Sequence, residues 1–272
     1  MLLKNKRRYL PLIIGVLVLL YAAGCGSAAK RSAPAHEAAA AGEKHWGYTG
    51  DVGPDFWHTL SPDYALAKDG KAQSPINIVT GGLAETGGLS KPEFHYTGIP
   101  FKAENNGHTI ALAPSGADNY IVLDAADYAL QQLHFHAPSE HRINGELCAM
   151  EAHLVHKDAA GNLAVVGILI VPGAENETLK EAFSKLPKEV THEEPVSLDA
   201  PIDLTALVPA GAGLYRYDGS LTTPPCTEGV KWSLADTALE LSQEQIDAFT
   251  AVYSGNNRPV QNLYKRRVYI TK

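Results

Sequence analysis

Alternation between apolar and polar positions recurs through most of the chain and predicts a protein built mainly from β-strands. Residues 120–125 and 128–136 form one predicted hairpin. Residues 147–156 and 162–171 form another, with a glycine and an asparagine at the turn between them. The 162–171 run is apolar at almost every position, which is typical of a central strand buried on both faces. Further strands are predicted at 73–78, within 93–113 and at 226–234.

Helical spacing of apolar residues is clearest in two short stretches, 175–186 and 242–253. Ser242 and Gln245 have the spacing of a capping box at the start of the second stretch, and Gly255 is predicted to close that helix. The predicted fold class is therefore mainly β (α+β), with short helices at the periphery of a sheet.

The first 25 residues have the pattern of an export signal, with a basic start and then an apolar run from about Leu10 to Ala23. That run suits the core of a signal peptide better than a full bilayer span. Its end, AAGC at 22–25, resembles a bacterial lipobox and predicts lipid attachment to Cys25. The expected location is the periplasm or the cell surface, with a membrane anchor. Ordinary cleavage nearby and an uncleaved anchor are the alternatives.

Residues 26–44 are rich in alanine, glycine, serine, lysine and glutamate and predict a flexible tether. The folded domain is predicted to span 45–272. The formal net charge of the chain is −7, and residues 1–24 contain four basic and no acidic residues, so the remainder of the chain is more acidic still. An acidic domain argues against a nucleic-acid partner, because phosphate binding needs clustered positive charge.

Five of the eleven histidines lie between residues 130 and 156. His134 and His136 are two positions apart, so on a strand both side chains point to the same face. His153 lies in a second alternating run, on the same face as Glu151. If the two runs pair antiparallel, the three histidines converge on one point. Three imidazoles around one point are the ligand set of a catalytic zinc ion, with the fourth position open to water.

Neutral imidazoles suit this task because they leave the full double charge on the metal, whereas thiolates would quench it. Ligand histidines usually donate their other ring N–H to a carboxylate, an amide or a carbonyl. Gln132 is placed to accept from His134, and Glu151 is placed to accept from His153. Glu140 follows His136 by four residues and is a second carboxylate beside the site.

At this point several motifs, in order along the chain, carry a family resemblance. The chain resembles the exported bacterial α-class carbonic anhydrases over roughly residues 45–270. The motifs are HWGY at 45–48, QSPINI at 73–78, NNGH at 105–108, HFHAPSEH at 134–141, EAHLVH at 151–156 and GSLTTPPC at 219–226. The resemblance implies a large, mostly antiparallel twisted sheet with zinc on its central strands. It also implies a lyase that reversibly hydrates carbon dioxide to bicarbonate and a proton by zinc-hydroxide attack.

The same resemblance assigns roles to individual residues. Thr222 would accept a hydrogen bond from the zinc-bound hydroxide and donate its own proton to Glu140, which orients the nucleophile. His108 would relay protons to buffer, since histidine titrates near neutrality. A backbone carbonyl near Asn256 would accept from His136, and Tyr48 would lie at the cleft.

Carbon dioxide has no net charge or dipole, so its pocket must be largely apolar. By family position, the residues of this substrate pocket are Val155, Val165, Leu221, Thr223, Val230 and Trp232. The histidines at 36, 45, 58, 95, 141, 156 and 192 are interpreted as structural or solvated.

One feature departs from the family pattern. Exported members often join the cysteine after TTPP to a cysteine shortly before QSPI, but the corresponding position here is Ala67. Three states of Cys226 are therefore open: a free thiol, a disulfide with Cys148, or a disulfide between two chains that would create a homodimer. Geometry decides the pairing, and the sequence does not contain it.

Two other functions compete with this hypothesis. HFHAPSE also fits the first metal motif of cupins, which would predict an iron or manganese oxidase or dioxygenase. The flanking glycines of that motif are missing, and SLTTPP has no role in a cupin. A non-catalytic zinc-binding lipoprotein is the other alternative, and the presence of His108, Glu140 and Thr222 beside the three histidines argues against it.

Overall fold

The computed structural model of the chain describes residues 45–85, 89–116, 119–191 and 194–271. The predictions for the export signal, for Cys25 and for the tether lie outside the described residues, as do His36 and His192. Within the described ranges, no helix is both long enough and apolar enough to cross a membrane.

Strands dominate the described part of the chain. In chain order they are β1 Asn77–Ile78, β2 Ala84–Glu85, β3 Glu93–His95, β4 Phe101–Asn105, β5 Ile110–Pro114, β6 Tyr120–Leu123, β7 Ala126–His136, β8 Arg142–Ile143, β9 Met150–Lys157, β10 Leu163–Pro172, β11 Val196–Ser197, β12 Leu214–Ser220, β13 Glu228–Ala235, β14 Leu239–Leu241 and β15 Tyr269–Thr271. The helices are short: α1 Trp57–Leu60, α2 Leu66–Asp69, α3 Lys180–Ser184 and α4 Gln243–Thr250, with 3₁₀ turns at Gly50–Val52, Pro62–Tyr64 and Leu204–Ala206.

Thirteen of these strands form one sheet, whose main path runs β11-β4-β5-β7-β9-β10-β13-β12-β15-β2. Most neighbours are antiparallel, including the central pairs β7–β9 and β9–β10. The pairs β10–β13, β10–β14 and β15–β2 are parallel. The prediction of a large, mostly antiparallel sheet with short peripheral helices is confirmed.

Apolar side chains cover both faces of the central strands. On β10, Val166 and Ile168 belong to the larger core, which also receives α3 and α4, whereas Val165 and Leu169 belong to a smaller core on the other face. This two-sided burial explains why the sequence of β10 is apolar at nearly every position. The smaller core lies on the face that carries His153, because Val155 belongs to that core and residues two apart on a strand share a face.

Both predicted helices are present, but their first and last residues differ from the predicted ones. α3 is shorter than the predicted 175–186 stretch, and the Asn176 side chain accepts the N–H of Leu179 at 3.1 Å just before it. The capping box of Ser242 and Gln245 is present on α4. The prediction that Gly255 closes α4 is wrong, because the helix ends at Thr250. Gly255 instead turns the chain at a positive φ of 77°.

Candidate active site

The sheet register brings the three predicted ligand histidines together. Strands β7 and β9 pair antiparallel, with His134 directly opposite His153. A β-bulge between Leu130 and Gln132 lies before the histidines and leaves their alternation intact. The Nε2 atoms of His134 and His136 are 3.1 Å apart, and one ring nitrogen from each of the three histidines lies within 4.8 Å of the others.

The other nitrogen of each ring is hydrogen-bonded to an oxygen acceptor outside the centre. The pairs are His134 Nδ1 with Gln132 Oε1 at 2.9 Å, His153 Nε2 with Glu151 Oε1 at 2.7 Å, and His136 Nδ1 with the backbone oxygen of Asn256 at 2.7 Å. When the outer nitrogen donates its N–H, the inner nitrogen keeps its lone pair, which is the form that binds a metal.

Electrostatics favours the same neutral form. Burial lowers the pKa of His136 to about 4, and burial together with the neighbouring histidines lowers the pKa of His134 well below its usual range. Burial also lowers the pKa of His153, against the opposing effect of Glu151. All three rings are therefore unprotonated at neutral pH, as metal ligands must be.

The carboxylate of Glu151 accepts four hydrogen bonds. Its Oε1 accepts from His153 Nε2 and His141 Nδ1, each at 2.7 Å. Its Oε2 accepts the backbone N–H groups of Glu140 at 2.9 Å and of His141 at 2.8 Å. Burial alone would raise the pKa of Glu151, but the electrostatic and hydrogen-bonding effects of His141 and His153 hold it well below the usual range.

His141 is a supporting residue that the sequence interpretation missed. It is fully buried, and its Nε2 lies 2.6 Å from the Tyr217 hydroxyl, which in turn lies 2.8 Å from Ser74 Oγ. Strand periodicity does not predict where the His141 ring points, because this residue lies in the turn after β7. Its position next to Glu140 was the available signal. His141, Glu151 and His153 also group as possible metal ligands, but their facing atoms already bond to one another.

Glu140 presents one unpartnered oxygen to the centre. Its Oε1 accepts the backbone N–H of Arg258 at 2.8 Å. Its Oε2 is buried without a hydrogen-bond partner and lies 3.5 Å from His136 Nε2 and 3.9 Å from His153 Nδ1. Burial raises the pKa of Glu140 to about 7, and the Thr222 side chain is among the groups that lower it. Thr222 is itself buried.

Asn256 connects the centre to the loop that carries His108. Its side-chain Oδ1 accepts the N–H of Ala137 at 2.8 Å, and its Nδ2 donates to the backbone oxygens of Phe135 and His108 at 3.1 Å each. Together with the backbone bond to His136, these contacts fix the end of β7. The positive φ of Gly255 lets the chain turn into this position.

His108, which the family resemblance implies as the proton relay, lies against the N-terminal segment of the domain. Its ring is only partly exposed and stacks on Trp46, with ring centroids 3.5 Å apart. His45 stacks nearby, with its centroid 4.7 Å from that of His108. Burial and the neighbouring His45 lower the pKa of His108 to about 4. His108 is partly buried because the HWGY segment at 45–48 folds back over its loop. The same segment packs Tyr48 against Trp57.

The residues assigned to the substrate pocket gather on one side of the centre. Five of them belong to the smaller core, namely Val155, Val165, Leu221, Val230 and Trp232. The ring centroid of Trp232 lies 4.9 Å from that of His153, so this apolar wall reaches the histidines. Thr223 lies in the turn beyond Thr222, where its backbone oxygen accepts the N–H of Cys226 at 2.9 Å.

Both described cysteines are free. Cys226 is fully buried and Cys148 is partly buried, and no disulfide joins them. A fully buried thiol is also not placed to bridge two chains. At the position of the missing partner, the backbone oxygen of Ala67 accepts from Arg258 Nη2 at 3.0 Å. The buried Arg258 therefore ties the segment of Ala67 to its own loop.

Comparisons with known proteins agree with this geometry. The family model for eukaryotic-type carbonic anhydrase matches residues 52–272. The chain is 41% identical over 230 residues to a carbonic anhydrase of Pectobacterium atrosepticum, covering 84% of this chain and 92% of that protein. It is 39% identical over 262 residues to a carbonic anhydrase of Neisseria gonorrhoeae, covering 96% and 97%.

A solved structure gives the same result. The α-carbonic anhydrase from Thermovibrio ammonificans, in complex with the inhibitor sulfanilamide, superposes with a TM-score of 0.78 at 42% identity. The match covers 83% of this chain and 98% of that one. The cupin interpretation has no support from these matches. The chain belongs to the eukaryotic-type, or α-class, carbonic anhydrase family, a family of lyases that act on carbon dioxide and bicarbonate.

Proposed function

We propose that His134, His136 and His153 hold one zinc ion, at which the chain hydrates carbon dioxide with Thr222 and Glu140 as orienting groups and His108 as proton relay. The observation that carries this proposal is the position of three ring nitrogens, one from each histidine, within 4.8 Å of one another. Each ring is also held on its far side by an oxygen acceptor.

The donor set fits zinc. Imidazole nitrogens suit zinc, and three neutral protein ligands with an open fourth position are typical of its catalytic sites. The Nε2 atoms of His134 and His136 face each other at 3.1 Å, and a shared cation would stabilise two nitrogen lone pairs at that distance. When bound, the metal supplies a nucleophile by ionising water; in carbonic anhydrases that ionisation is known to occur near pH ~7.

The chain's own residues position the reactants. Glu140 is held by the N–H of Arg258 and keeps one oxygen toward the centre, where it can accept the hydroxyl proton of Thr222. A Thr222 hydroxyl that donates to Glu140 offers only its lone pairs to the nucleophile and so fixes its direction. The apolar wall at Val165, Val230 and Trp232 accommodates an uncharged, nonpolar substrate.

His108 offers a neutral imidazole to the released proton, because its pKa, lowered to about 4, leaves the ring unprotonated at pH 7. The same low pKa makes the ring a weaker proton acceptor than an ordinary histidine, so proton uptake is the slow half of the relay and release to buffer is the fast half. The ring centroid of His45 lies 4.7 Å from that of His108. Since His45 is exposed, it is the next imidazole between His108 and the solvent.

Replacing His136 with alanine should reduce bound zinc from about one ion per chain to almost none, because a catalytic site with two protein ligands holds zinc weakly. The matched control is His95→Ala, an exposed histidine that stacks on Tyr120 and lies on β3. Inductively coupled plasma mass spectrometry measures the metal. Retention of stoichiometric zinc in His136→Ala would refute the ligand assignment.

Thr222→Ala should lower the rate of carbon dioxide hydration by roughly 10²-fold, because the nucleophile loses its orienting partner, while zinc content stays unchanged. Thr222→Ser keeps the hydroxyl and should retain most of the activity. Stopped-flow hydration with a pH indicator measures both variants. Equal activity in Thr222→Ala and the unmodified chain would remove Thr222 from the mechanism.

His108→Ala should slow turnover in dilute buffer by roughly 10²-fold, within the range for a lost acid–base group, and added imidazole should restore part of the rate. His58→Ala is the control, since His58 is another partly exposed histidine, one that borders a separate cavity. A His108→Ala enzyme that is neither slower nor responsive to imidazole would point to another relay.

We also propose that the chain is exported and carries a lipid on Cys25, which would anchor the domain at a membrane through a tether at 26–44. The supporting observation is the order of basic, apolar and AAGC segments in residues 1–25. Mass spectrometry of the mature N-terminus should show a lipid-modified Cys25. An unmodified terminus beyond Cys25 would contradict the lipid and leave the catalytic proposal untouched.

A further inference from the structure

A second concave site, here called the basic groove, lies apart from the histidine centre. It is a cavity of about 720 Å³ bordered by β12, β13, β15 and the loop that leads into β15. Tyr217 separates the two sites. Its ring lies 5.7 Å from the guanidinium carbon of Arg266 in the groove, and its hydroxyl lies 2.6 Å from His141 in the support of the catalytic centre.

The charge of the groove is opposite to that of the chain. Its lining contains two acidic residues, Asp124 and Asp218. The five basic residues of the lining are Arg216, Lys231, Lys265, Arg266 and Arg267. Concentrating positive charge in one concavity of a protein whose net charge is −7 creates a local field that attracts anions.

Internal partners neutralise only part of this charge. Asp124 bonds to Lys231 and lies 3.8 Å from Arg216, so one carboxylate serves two cations. Arg266 donates to backbone oxygens, including those of Asp218 at 2.9 Å and Gln73 at 2.8 Å, and these carry no formal charge. Its position is thereby fixed while its charge remains available to a ligand.

Three further cations leave hydrogen-bonding capacity unused. Lys265 and Arg267 are exposed, and within the described ranges neither forms an ion pair. The Arg216 side chain is only 4% exposed, yet its Nε is buried without a hydrogen-bond partner. Native proteins rarely leave a buried charged donor unsatisfied, so the unpartnered Nε of Arg216 points to an acceptor that binds beside it.

We propose that the basic groove binds a small multivalent anion of the phosphate class. Arginine forks match the tetrahedral oxygens of phosphate groups and can bind them bidentately. A cavity of this volume lies in the range that encloses small ligands. Phosphate of this kind comes either from a soluble phosphate ester or from the headgroup of an anionic phospholipid.

The first experiment is isothermal titration calorimetry of the full, zinc-loaded chain with fructose 1,6-bisphosphate as the probe. Saturable binding of one probe per chain is expected. The double variant K265E/R267E should weaken that binding by at least about tenfold, because it removes two unpaired cations. The control K102E/K188E makes the same change in net charge at exposed lysines near β4, at the opposite end of the sheet, and should stay within about twofold.

Three results would contradict anion binding in the basic groove. Two of them are an absence of saturable binding to the unmodified chain and an equal loss of binding in both double variants. Loss of binding in His136→Ala would instead place the anion at the histidine centre. Because Lys265 and Arg267 are exposed, K265E/R267E should keep the urea midpoint of the unmodified chain. The His136→Ala titration also separates this proposal from the zinc proposal, since groove binding should survive the loss of metal.

A second arm identifies the source of the phosphate. The full chain and both double variants are sedimented with vesicles of phosphatidylglycerol and with vesicles of phosphatidylcholine. A preference for phosphatidylglycerol that K265E/R267E alone abolishes supports the groove and assigns it a lipid headgroup. Groove-dependent binding of the bisphosphate without that preference supports the groove and assigns it a soluble ligand.

Discussion

The buried carboxylate of Glu151 is the interaction on which the rest of the site depends. A buried carboxylate is costly unless its oxygens are hydrogen-bonded, and Glu151 accepts from two imidazoles and two backbone N–H groups. Those four donors come from β9 and from the turn after β7. One side chain therefore fixes the ring of His153, the ring of His141 and the backbone that presents Glu140.

The hydrogen bonds around the centre hold its side chains from outside and leave the atoms that face the centre free to bind a ligand. The outer faces of the three histidines and of Glu140 are fully occupied by Gln132, Glu151, Asn256 and Arg258. The atoms that face the centre are one ring nitrogen from each histidine and the unpartnered Oε2 of Glu140. A site built this way would need little reorganisation to bind a metal ion, because its ligand rings are already held in place.

Strand periodicity is the reason so much could be predicted. Residues two apart on β7 and residues of equal parity on β9 share a face, so His134, His136, His153, Gln132 and Glu151 followed from spacing once the two runs paired. Irregular segments offer no such rule. Asn256 contacts His136 across 120 positions, and Trp46 covers His108 from the first residues of the domain. Gly255 looked like a helix end because a positive φ suits both a cap and the turn that delivers Asn256.

The most direct test of the account is X-ray absorption spectroscopy at the zinc edge of the purified, metal-loaded chain. The account predicts three imidazole nitrogens and one further light ligand at about 2.0–2.1 Å from zinc. A sulfur scatterer at about 2.3 Å, or a shell fitted by fewer than three imidazoles, would contradict it.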